Sequence, residues 1–207
     1  MALLRPRNET SGPVIGVCAA VDGRDAALKK QKARVEKMAR MLAEFIGREF
    51  PHIDGKPSPV VLANELIRNA ASAQRVGRQF RAAGVQVLVC YDDVWAYPGE
   101  LEGLLVQNIS MGQIPMAHVS GNSAAWPGVV YNFAATGMLA QWGYFAHRIV
   151  GDVIETDGVP RDFAEGLKAD LVDWLAAAAT FADMWGKPYA SFGGHSMNME
   201  TGLSHVI

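Results

Sequence analysis

A chain of 207 residues, half of them hydrophobic, is long enough to bury the core of one ordinary domain. Its net charge of -2 and pI near 6.2 argue against nucleic acid or an anionic membrane as partner. No stretch approaches the roughly 18 apolar residues of a membrane span, and the N-terminal apolar run is too short for a signal peptide, so a cytoplasmic location is expected.

Residues 1–12 are polar and aperiodic and read as a flexible arm. The run PVIGVCAAV at 13–21 is continuously apolar, the pattern of a parallel strand covered on both faces. It ends in Asp22-Gly23-Arg24-Asp25. A helix is expected over 26–50, where Leu28, Val35, Met38, Leu42, Phe45 and Ile46 recur at helical spacing, and Pro51 closes it. The lysines and arginines between 29 and 48 read as its solvated outer face.

A short strand at 59–63 and a helix over 65–83 follow, the latter stopped by Gly84. The strand VQVLVCY at 85–91 empties into a loop, 92–100, carrying Asp92, Asp93, Trp95 and Tyr97. Beyond it come a helix at 101–110, a strand at 114–120, a loop at 121–128 and a helix at 129–142. A strand at 145–150, an alanine-rich helix over 161–185 and a strand at 188–192 complete the pattern. Gly193-Gly194-His195-Ser196-Met197 would then sit at a strand's carboxyl end, where open α/β sheets bind their ligands. Strands alternating with helices predict an α/β fold: a doubly wound, mostly parallel sheet of five or six strands, helices on both faces, Rossmann-like or flavodoxin-like. Residues 13–186 make one domain in this reading, and 187–207 begin a following one that stops short.

Several chemistries lose ground on the residues themselves. The turn DGRD lacks the glycines that cradle a pyrophosphate, and no Gly-x4-Gly-Lys-Ser/Thr occurs, which argues against NAD or ATP. Ser196 beside His195 is not a nucleophile elbow, and no two histidines are four apart on a helix. Asp92 and Asp93 form an acid-base pair only if they are not simply solvated or capping residues. Cys18 and Cys90, each within a predicted strand, read as buried reduced thiols.

Taken together, the loops resemble the L-fucose isomerase family, which also acts on D-arabinose. The resemblance is carried by Ile15-Gly16-Val17 leading into Val21-Asp22-Gly23-Arg24 and by the Trp-x-Tyr element Trp95 to Tyr97. It continues in Pro127-Gly128-Val129-Val130-Tyr131, Gly186-Lys187-Pro188-Tyr189 and Gly193-Gly194-His195-Ser196-Met197. These matches keep their order and cover almost the whole chain, corresponding to the N-terminal portion of the family.

The resemblance implies an aldose-ketose isomerase working through an ene-diol, with manganese held by ligands in the family's C-terminal half and none in this chain. It further implies a hexamer whose N-terminal loops cover a neighbouring subunit's site. Trp95 and Met197 would wall the sugar pocket beside His195 and Ser196, with Asp22, Arg24, Tyr97, Gly193 and Gly194 in the site loops. Cys18 stands where family members often carry arginine, and Asn198 where a glycine is common. The chain alone would be inactive. The competing reading is a non-catalytic sugar-binding or assembly module of the same fold.

Overall fold

The computed structural model describes residues 12–50, 55–101, 114–122 and 125–185. Five strands, β1 (Val14–Ala19), β2 (Val60–Leu62), β3 (Val85–Asp92), β4 (Met116–Gly121) and β5 (Ala146–Gly151), form one sheet in the order β2-β1-β3-β4-β5. Every neighbouring pair is parallel. The apolar run of β1 is buried at every position after the first, as two covered faces require.

Because strand side chains alternate, Ile15, Val17 and Ala19 enter one core while Cys18 and Ala20 enter the other. The first core is closed by α1 (Asp25–Glu49) and α4 (Glu165–Met184), through residues such as Met38, Leu42, Leu167 and Leu171. The second is closed by α2 (Ala70–Ala83) and α3 (Gly128–Gln141), through Val76, Phe80, Tyr131 and Leu139. Helices thus cover both faces, and the doubly wound α/β sheet expected from the sequence is the fold observed.

Two boundaries differ from expectation for identifiable reasons. The helix expected from 65 starts at Ala70, because Asn69 is extended and forms a reciprocal capping box with Ser72. Residues before it stay with the sheet: Ile67 N–H donates to Ala19 and Val21 N–H to Ile67. The helix expected from 161 starts at Glu165, because an antiparallel hairpin, β6 (Val153–Thr156) and β7 (Val159–Phe163), precedes it. Its turn is Asp157-Gly158, both in the left-handed region, the geometry a two-residue hairpin loop demands. The helix expected at 101–110 lies outside the described residues apart from its first residue, which ends a 3-10 turn, and the strand expected at 188–192 lies wholly outside them.

Among the basic residues of α1, one departs from the solvated reading. Arg34 is buried, on the line through Met38 and Leu42 that faces the first core.

Candidate functional site

Since all five strands run in one direction, the loops after β1, β3 and β4 leave the sheet at a single edge. Chain order reverses between β1 and β3, so the loops beginning at Asp22 and Asp93 flank the switch point where such sheets open a crevice. The predicted loops 22–25, 92–100 and 121–128 therefore share an edge, so far as they are described. Gly193, Gly194, His195, Ser196 and Met197 lie outside the described residues.

The first loop is rigid by construction. A Cβ on Gly23 would fall 2.2 Å from the Arg68 carbonyl oxygen, so only glycine lets the chain pass this close to the start of α2. Asp22 is buried and accepts from the backbone N–H and the guanidinium of Arg24. This hydrogen bonding holds the Asp22 carboxyl below the usual carboxylate range, against the opposing effect of burial. Arg24 itself is largely exposed and lies 5.8 Å over the ring of Tyr97, joining the first loop to the second.

The second loop is anchored by small buried side chains between its aromatic ones. Val94 and Ala96 are fully buried, leaving Trp95 partly exposed and Tyr97 at 43% exposure. Trp95 meets Tyr97 and Tyr131 edge to face, each with ring centroids 6.3 Å apart. Its indole is therefore held between one ring from its own loop and one from α3.

Beneath that loop the two acids are neither solvated nor capping, which corrects the sequence expectation. Asp92 lies 2.7 Å from His118 Nδ1 on the neighbouring strand β4, and both are buried. Asp93 accepts from Arg34 Nε at 2.6 Å and from the Tyr91 hydroxyl at 3.1 Å. Arg34 also donates to Glu155 on the hairpin at 2.6 Å, and Trp126 stacks 4.8 Å from its guanidinium. The start of α3 presses on the same place: a Cβ on Gly128 would fall 2.1 Å from the Asp92 carbonyl oxygen.

Arg34 and His118 are the residues that sequence reasoning missed. Helical spacing already placed Arg34 in line with Met38. His118 shares a strand face with Ser120, but its partner Asp92 emerges only from the β3–β4 register.

Asp22, Asp92 and Asp93 are each already matched by a fixed basic partner, and among the described residues no group of three or more His, Cys, Asp or Glu side chains is placed to hold a metal. What the edge offers is a cluster of aromatic rings beside an exposed guanidinium.

Comparison with known proteins agrees with the sequence resemblance. The family described as "L-fucose isomerase, first N-terminal domain" matches residues 12–186. The chain is 29% identical over 191 residues to the L-fucose isomerase of Phocaeicola vulgatus and 28% identical over 191 residues to that of Bacteroides thetaiotaomicron. It is 30% identical over 192 residues to that of Klebsiella pneumoniae. In each case 90% of this chain aligns with 31% of the relative, so the chain spans about a third of the length of these curated proteins. With a family match that runs from Ser11's neighbour Gly12 to Gly186, the chain belongs to the family of L-fucose isomerase first N-terminal domains.

Proposed function

We propose that this chain supplies N-terminal walls and assembly contacts to an L-fucose isomerase-like aldose-ketose isomerase of the cytoplasm, acting on a sugar of the L-fucose or D-arabinose type. The supporting observation is Trp95, propped between Tyr97 and Tyr131 at the switch point and facing the same edge as Arg24. In this reading Trp95 stacks on the sugar, and Met197, with His195 and Ser196, closes the pocket from the segment after Gly193-Gly194. The aldose-ketose step, its ene-diol and its manganese belong to the remaining two-thirds of such an enzyme, and the pocket is completed between subunits of a hexamer.

The pairing of Asp22 with Arg24, of Asp92 with His118 and of Asp93 with Arg34 favours a second reading for the chain by itself, a sugar-binding or assembly module without chemistry. Titration with L-fucose and with D-arabinose, followed by tryptophan emission, tests the pocket: the response should vanish in Trp95→Ala. Calorimetry with manganese and a ketose assay test the division of labour, and the chain alone should bind the metal weakly or not at all and form no ketose. Metal-dependent turnover lost in His195→Ala would overturn this reading and move the catalytic centre into the chain.

A further inference from the structure

Arg34 is a costly residue to keep where it is. Its side chain is only 8% exposed, and one guanidinium nitrogen, Nη1, is buried without a hydrogen-bond acceptor. A buried ion pair with an unmet donor is a poor source of stability, since an apolar replacement of the whole pair is often neutral or better. What it supplies instead is geometry.

Three separate segments meet on this one guanidinium. Nε and Nη2 reach the Asp93 carboxylate at 2.6 and 3.3 Å, and Nη2 also donates to Glu155 at 2.6 Å. Trp126, in the loop before α3, covers its face at 4.8 Å. Lys37, one turn further along α1, donates to the Pro160 carbonyl at 2.6 Å and holds the same hairpin from its other strand. Arg34 is planar and presents a rigid fork, so contacts at two edges and one face fix its neighbours relative to one another as a flexible ammonium would not.

We infer that Arg34 is a positioning residue for the aromatic wall: through Asp93 it locks the loop carrying Trp95 to the β6–β7 hairpin and to the entry of α3. It touches no substrate; it sets where Trp95 stands. That the wall receives a sugar rests on the function proposed above, whereas the locking itself does not.

The test separates local order from global stability. In Arg34→Gln/Asp93→Asn the charges are removed together, so no buried ion is left alone, and the urea midpoint should stay close to the parent's. Amide exchange in 93–99 should nevertheless quicken by about tenfold, as expected when charge-assisted hydrogen bonds holding a loop are lost. Glu155→Gln, a change on the partly exposed hairpin, should quicken the same peptide by about threefold and serves if the double variant is poorly folded. In both variants the Trp95 indole resonance, assigned by its loss in Trp95→Phe, should shift or broaden. Unchanged exchange in 93–99, or equal acceleration of every protected peptide, would overturn the inference. Absence of any L-fucose response in the parent chain would instead count against the sugar pocket, leaving the exchange result to stand by itself.

Discussion

His118 Nδ1 lies 2.7 Å from an Asp92 carboxylate oxygen across the β3–β4 ladder, and neither side chain reaches solvent. Burial disfavours a charge on His118, but the Asp92 carboxylate, with Cys90, outweighs it and raises the imidazole to about 9. For Asp92 burial is the larger effect and pushes the carboxyl up, with His118 pulling it back only in part. At neutral pH the raised value favours the protonated His118 ring beside Asp92.

The pH dependence follows from which state holds the proton more tightly. Folded His118 exceeds its ordinary value of 6.5, so its contribution to stability is complete below that pH and is lost as the pH rises through about 9. Urea unfolding should show a midpoint that falls between pH 7 and pH 9.5. His118→Asn should lower stability at pH 7 by about 3–5 kcal/mol, because it leaves a buried carboxylate without its cation, and should flatten the alkaline fall. A wild-type midpoint constant across that range would refute the assignment.

Two glycines of α3 should respond in opposite directions. Gly128→Ala places a methyl 2.1 Å from the Asp92 carbonyl oxygen, so the helix start must move off β3, at a loss of about 2 kcal/mol or more. Gly137→Ala meets no atom within 4 Å on the exposed side of the helix and should gain about 0.5–1 kcal/mol from helix propensity. Urea titrations of both variants check the pair, and equal effects would contradict the packing at Gly128.

Cys18 and Cys90 face each other in register, Sγ to Sγ 3.4 Å, and both are free and buried. Their mutual hydrogen bond and then burial push the Cys90 thiol well up, so the reactive thiolate is scarce. A disulfide-exchange reagent should label the native chain only as fast as the chain unfolds, and label both thiols at once in urea. Rapid labelling of either thiol in the native state would show that this part of the sheet opens locally.

Asn69→Ala removes the side-chain acceptor for Ser72 N–H and should lower stability by about 1 kcal/mol, with Asn69→Asp retaining most of it. Denaturant midpoints measure the difference.

The sheet was legible because its strands are unbroken apolar runs and its helices carry periodic apolar stripes, as in 85–91 and at Val35, Met38 and Leu42. The hairpin was missed although Asp157-Gly158 is a strong turn signal, because the flanking strands are short and mostly exposed and so lack a clean alternation. Of the candidate site, the sharing of one edge by loops 22–25 and 92–100 was legible, because each follows a strand of the parallel sheet. Its supporting pairs were not, since Asp92 with His118 and Asp93 with Arg34 join residues 26 and 59 positions apart, and only strand register and helix placement bring them together.

The position of β1 in the sheet bears on how the polypeptide acquires its shape during synthesis. Its first neighbour begins at Val60 and its second at Val85, and Cys18 waits for a partner 72 residues downstream. Until Asp92 has left the ribosome, this buried apolar strand has an open edge, able to pair with any other extended chain nearby. Contacts this distant in sequence close slowly, so translation speed between Val14 and Asp92, and any chaperone that shields this stretch, should govern the yield of folded protein.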